Sequence, residues 1–222
     1  MDRRYLRLVS FRYTDFVEGY ERTAVTQEEL LEVIDFAIAH MNGGCALHLT
    51  GDDIHFNRIL YRKLHGIDQF KSLYMVYKCE DSIEFLESYI NLSSPKKCII
   101  LEGDDWTQKA IPSLKKVVFL PSFQRLDLHV SNLTFDLPFF KEIINKWEAG
   151  SLDWSEDGEL IAHFPFKQET LTSQLDFAYN PKIHNENIYV LKHPSPSKPK
   201  HNLLIRFRKN FVYFQLRQTR SS

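Results

Sequence analysis

Two groups of acids in this chain could do chemistry: Asp52-Asp53, and Glu102 with Asp104-Asp105. Each follows an apolar run that reads as a strand, and loops after strands are where open α/β sheets place their sites. Convergent carboxylates could hold a divalent cation or act as acid and base in hydrolysis. That makes a hydrolase or metal-dependent enzyme, using acids in the strand-to-loop turns, the rival reading of the chain. The same positions are turns, where an aspartate bonds its own backbone, and this structural role is the expectation. The nine histidines (His40, His48, His55, His65, His129, His163, His184, His193 and His201) are scattered. None forms an H-x-x-x-H pair, and there is no C-x-x-C, so no metal site is expected. Cys45 and Cys98 lie beside strand centres and read as small buried hydrophobes. The nucleophile-elbow, P-loop and dinucleotide fingerprints are all missing. The expectation is a chain without catalytic residues or cofactor.

A different set of residues is suited to binding. In a strand, residues flanking the buried positions point to the opposite face. One column of such residues is His48, Tyr74, Ile100 and Asp127; the next is Thr50, Val76, Glu102 and His129. Together they would form a mixed apolar and charged face able to meet a protein partner. Tyr74 with Ile100 is the candidate anchor, since aromatic residues dominate interface hot spots.

These columns require regularly spaced strands, and the sequence supplies them. Residues 27–41 read as a helix with Leu30, Leu31, Ile34, Ile38 and Met41 on one face. Thr26 and Glu29 form a capping box at its start. The run CALHLT then alternates as a strand. The helix-then-strand unit recurs: 55–66 before SLYMVY, 82–92 (capped by Asp81) before KCIILE, and 107–119 before RLDLHV. The strand-centre pairs Leu47/Leu49, Leu73/Met75, Ile99/Leu101 and Leu126/Leu128 recur 26, 26 and 27 residues apart (47 to 73 to 99 to 126). This is the period of a leucine-rich repeat. Phe123-x-x-Leu126-x-Leu128-x-x-Ser131-x-Leu133 follows the consensus well, and Asp52 and Asp104 occupy the polar slot of other units. The fold class expected is therefore α/β: a degenerate leucine-rich-repeat-like helix–strand array with a parallel sheet.

One more helix is expected at 135–149, capped by Asp136 and ended by Gly150. The chain then becomes strand-like, with LIAHFPF, LDFAY, NIYVLKH, LLIRF and FVYFQL. The last two flank a hairpin turn at Arg208-Lys209-Asn210, and residues 194–200 form a Pro/Ser/Lys loop. The division is residues 1–158 as the array and 159–222 as an antiparallel β-rich cap closing its last edge, the two expected to form one structural unit because the cap packs on the array. Composition sets the class of partner. Hydrophobic residues make up 43% of the chain, and 28 basic residues balance 29 acidic ones. That balance gives no global reason to bind nucleic acid or anionic lipid, and the basic tail (Lys198, Lys200, Arg206, Arg208, Lys209, Arg217, Arg220) reads as a solvated strand face. No membrane span or secretory signal is visible. Three widely spaced cysteines fit a reducing, intracellular compartment, cytoplasmic or nuclear.

The segment Leu133–Gly150 (LTFDLPFFKEIINKWEAG), with Phe139-Phe140-Lys141 ahead of Trp147 and Gly150, resembles the signature of the nematode F-box-associated domain, type 2. Five residues separate Lys141 from Trp147, more than that motif usually has. The β-rich stretch from Asn187 to Leu216 is similar to the end of those proteins. The resemblance spans roughly residues 40–218, in architecture more than identity. It implies a domain that presents substrates to an SCF-type ubiquitin ligase, with Skp1 and a cullin as further partners. In that family a separate F-box grips Skp1; residues 1–40 show no such pattern.

Overall fold

Apolar residues at every second position, followed by an amphipathic helix, recur along the chain and set its plan. The structure, a computed structural model, describes residues 8–13, 26–92, 98–173, 187–191 and 201–218. Strands β1 (Leu8–Tyr13), β2 (Met41–Leu49), β3 (Phe70–Val76), β4 (Cys98–Gly103), β5 (Phe123–Ser131) and β6 (Trp154–His163) lie side by side in chain order. Each is parallel to the next. The connections carry helices α1 (Gln27–His40), α2 (Ile54–Leu64), α3 (Asp81–Asn91), α4 (Ile111–Val118) and α5 (Leu137–Glu148). A short helix α6 (Gln168–Thr172) precedes β7 (Asn187–Leu191), β8 (His201–Arg208) and β9 (Phe211–Gln218). Here the order reverses: β9 pairs antiparallel with β6, β8 with β9, and β7 with β8. Among the described residues the result is one mixed α/β sheet of nine strands, mostly parallel, with antiparallel C-terminal strands.

Parallel neighbours need long crossovers, and those crossovers are right-handed. Stepping the same way five times therefore places the helices on one face. The core shows this directly. Leu47, Leu49, Leu73, Met75, Ile99, Leu101, Leu126 and Leu128 are buried in a single cluster with residues from α1 to α5. Val212, Phe214, Leu203 and Ile205 of the antiparallel strands join the same cluster. The expected strand centres are thus correct, and Leu47↔Leu73↔Ile99↔Leu126 are paired in register.

Local signals explain the helix ends. The Thr26–Glu29 capping box is present: the Glu29 N–H donates to Thr26 Oγ1 at 3.2 Å, and the Thr26 N–H to Glu29 Oε2 at 2.8 Å. Asp53 caps α2 through the Phe56 N–H at 3.0 Å, and Asp136 caps α5 through the Phe139 N–H at 3.3 Å. Gly150, at φ 64, closes α5, its N–H on the Trp147 carbonyl at 2.8 Å. Asp81 does not cap α3. Glu80 stands at that position, its side chain making no capping bond. The buried Ser82 instead ties down the turn before the helix, its Oγ accepting from the Lys78 and Cys79 N–H groups at 3.1 and 3.3 Å.

Three expectations need correction. A strand at 8–13 was not anticipated; β1 is the array's first edge. The first four residues of LIAHFPF belong to β6, which is parallel to β5, so the expected boundary at 158/159 falls inside that strand. Asp52 and Asp104 do not fill a buried polar slot, since both are exposed. Ser131 is buried, its hydroxyl donating to the Leu128 carbonyl at 2.9 Å. The LDFAY run and the loop at 194–200, with Lys198 and Lys200, lie outside the described residues, as does Arg220. Among the described residues no helix is long and apolar enough to cross a membrane.

Candidate protein-binding face

Because the helices occupy one face, the other presents a line of residues in direct register across every strand. It runs Arg12↔His48↔Tyr74↔Ile100↔Asp127↔Ile161↔Tyr213↔Arg206↔Ile188. The expected first column, His48, Tyr74, Ile100 and Asp127, is therefore four consecutive members of one row. Arg12, Ile161 and Tyr213 extend it. Alternation of side chains across the pleat guarantees that the row shares one face.

His48 and Tyr74 stack, with ring centroids 5.4 Å apart and planes 29° apart. Burial lowers the pKa of the His48 imidazole, and the nearby Arg12 charge lowers it further. The Tyr74 hydroxyl is pushed up to about 12. Burial is the first cause; its hydrogen bond to the Glu102 carboxylate and the charges of Glu102 and Asp127 add to it. Tyr74 is therefore a neutral donor held in place by Glu102.

The second column is broken. Val76 faces Glu102, but Glu102 faces Val130, not His129. Between Ile100↔Asp127 and Glu102↔Val130, β5 carries one residue more than β4. This bulge is a device that re-aims side chains. Val130 is left 46% exposed. Asp127, expected as a surface contact, is only 2% exposed. One of its oxygens takes Arg125 Nη2 at 2.6 Å, and the other takes His129 Nδ1 at 2.6 Å and the His129 N–H at 3.2 Å. Burial raises the Asp127 pKa, but the bonds from Arg125 and His129 outweigh it and hold the carboxyl below its ordinary value. Arg125 also reaches Glu159 at 3.5 Å. Thr50 follows β2, half-buried and beyond its paired residues.

The bulge opens a groove of about 440 Å³ at the carboxyl ends of β3 to β6. Val76, Glu102, Gly103, Asp104, His129, Val130, Ser131 and His163 line it. Gly103 sits at φ 99, and a Cβ there would come within 3.3 Å of Val76, so glycine shapes the groove wall. His163 ties two elements together: Nε2 lies 3.1 Å from the His129 carbonyl and Nδ1 3.2 Å from the Asn210 carbonyl. The Phe211 ring stands edge-on to both His129 and His163. Sequence reasoning did not single out Arg125, Val130, His163 or Phe211 for this site. Only the alternation in LIAHFPF could have placed His163 on this face.

Two acids of the rival reading are engaged individually. Asp53 caps α2, and Asp52 pairs with Lys78. Among the described residues no three His, Cys, Asp or Glu side chains are arranged to hold a metal ion. In the basic tail, Arg206 lies in the row, Arg208 approaches the Tyr213 ring at 5.8 Å, and Arg217 bonds Gln215. Compared with known proteins, the chain matches no family model, no curated protein and no solved structure.

Proposed function

We propose that this chain is an intracellular, non-catalytic protein-binding module of the leucine-rich-repeat kind, which meets its partner on the face opposite the helices. The observation that carries this reading is the single in-register row with Tyr74 and Ile100 half-buried at its centre. Arrays of stacked helix–strand units commonly bind on such a face. The resemblance of Leu133–Gly150 to the F-box-associated domain adds a role: substrate recognition for an SCF-type ubiquitin ligase, with Skp1 and a cullin in the assembly. The hydrolase or metal-dependent reading is weaker, because Asp52 and Asp53 already serve an ion pair and a helix cap.

The test is affinity capture with the full chain, comparing wild type with Tyr74→Ala and Lys198→Ala. A partner bound directly by wild type should lose about 2 kcal/mol or more on Tyr74→Ala, and Lys198→Ala should be neutral. Recovery of Skp1 and a cullin alongside it supports the ligase role. Loss of binding on Lys198→Ala with Tyr74→Ala intact assigns recognition to the C-terminal segment instead.

A further inference from the structure

His163 stands at a junction of three strands. Its backbone is fixed on both sides: it pairs with Phe211 of β9, and its carbonyl accepts the Phe135 N–H at 3.2 Å. Its ring meets two backbone carbonyls, His129 of β5 at Nε2 and Asn210 of the β8–β9 turn at Nδ1. A carbonyl oxygen only accepts. A neutral imidazole carries one N–H, and only the imidazolium donates from both nitrogens. The neutral ring therefore makes one of these bonds and turns a lone pair toward the other oxygen.

The Asn210 side of the junction is also where the backbone is strained. The turn between the paired residues Arg208 and Phe211 consists of Lys209 and Asn210, and Lys209 stands at φ 41. In a two-residue hairpin turn such a left-handed position normally goes to glycine or asparagine. Both turn residues are exposed, so burial does not hold them. Besides the ring, the Phe164 N–H reaches the Asn210 carbonyl, at a longer 3.4 Å. His129 differs: it lies within β5, and its own N–H and ring are tied to Asp127.

We propose that His163 is a pH-sensitive latch: protonated on both ring nitrogens it ties the β8–β9 turn to the rim of β5, and on losing a proton it releases the turn. The turn is the side that gives, because it is exposed and strained while the His129 carbonyl belongs to a strand. The bonded state exists on the acid side of the ordinary imidazole range, about 6.5, and is lost as pH rises through it. The charged groups around the ring are Glu102 and Asp104 across the groove, Asp127 with Arg125 and His129 on β5, and Arg208 and Lys209 on the hairpin. None of these side chains bonds the ring; its polar partners are the two carbonyls. Phe211, next to the turn, stands edge-on to both His129 and His163, so release of the turn also loosens this wall of the groove. The latch works whatever the sheet face binds.

The test uses the whole chain, nitrogen-labelled, between about pH 5 and about pH 8. Histidine ring spectra follow the protonation of His163. Amide exchange at Arg208 and Phe211 follows the turn, with each rate corrected for the intrinsic effect of pH. Protection of these two amides should be about fivefold greater at the acid end, the size of one partly exposed bond from a charged donor. The change should share its midpoint with the His163 ring. His163→Gln, which cannot become a cation, should abolish it. His129→Gln should keep it, because the latch uses that residue's backbone carbonyl and not its ring. Equal protection at both ends, a midpoint different from that of the His163 ring, or a change that survives His163→Gln overturns the latch. Loss of the change in His129→Gln assigns the titration to that ring and overturns it as well.

Discussion

The carboxylate of Asp127 reaches Nδ1 of His129 at 2.6 Å from two residues earlier on the same strand, at the point where β5 carries one residue more than β4 opposite it. The pair is a consequence of the bulge. Asp127 is a buried anchor for Arg125 and His129.

That anchor makes stability depend on pH on the acid side. The Asp127 pKa is depressed in the folded state. Its contribution is therefore fully present above the unfolded value of about 3.9 and is lost as pH falls through the lower folded value. Asp127→Asn should cost about 1–3 kcal/mol, the size of a lost hydrogen bond to a charged group, since Arg125 and His129 are partly exposed and regain water. It should also flatten the acid limb of stability measured by urea unfolding between neutral and acid pH. An unchanged acid limb places the titration elsewhere.

Tyr74 acts with the opposite sign. Its folded pKa of about 12 lies above the ordinary value of 10.0. The contribution of the neutral phenol is present below the unfolded value and lost as pH rises from there through the folded one. Tyr74→Phe should retain the stack on His48 and remove the Tyr74 part of the alkaline destabilisation. Carbon NMR of the labelled phenol ring should show titration delayed relative to exposed tyrosines. A Tyr74 signal that titrates with them would contradict its burial and its bond to Glu102.

The core positions give the largest effects. Leu73 and Ile99 are paired with each other and essentially inaccessible. Alanine at either should destabilise by about 2–5 kcal/mol. A loss below about half a kcal/mol would mean a surface position.

Removing the antiparallel strands tests the closing edge. A chain ending at His163 leaves one edge of β6 unpaired and strips Phe214 from its stack on Phe140. Gel filtration should show aggregate, as expected of an uncovered edge and apolar face. A monodisperse fragment with a cooperative melt would show that residues 8–163 fold alone.

What the sequence revealed depended on periodicity. Leu47, Leu73, Ile99 and Leu126 were legible because alternation and a spacing of 26 or 27 residues both pointed to them. Their neighbours His48, Tyr74, Ile100 and Asp127 followed from the pleat alone. β6 was read as part of the antiparallel tail because the next in-register step, Leu126 to Leu160, is 34 residues (160 − 126). The bulge was illegible for a different reason. An extra residue in one strand leaves the composition of that strand unchanged, and only the partner strand reveals that His129 has moved out of line with Glu102. The Asp81 cap failed because the helix starts one residue earlier than the pattern suggests, so that Asp81 is its first residue and Glu80 takes the cap position.

The strand order also sets a timetable for synthesis. β9 is the neighbour of β6, yet it begins at Phe211, 48 residues after β6 ends at His163 (211 − 163). At ribosomal rates the growing chain holds that flank vacant for roughly 2–10 s. β7 and β8 are made in the interval, but they dock only through β9. Closure of the sheet therefore waits for β9, and until then the nascent protein meets the cell's chaperones with β6 as its sticky end.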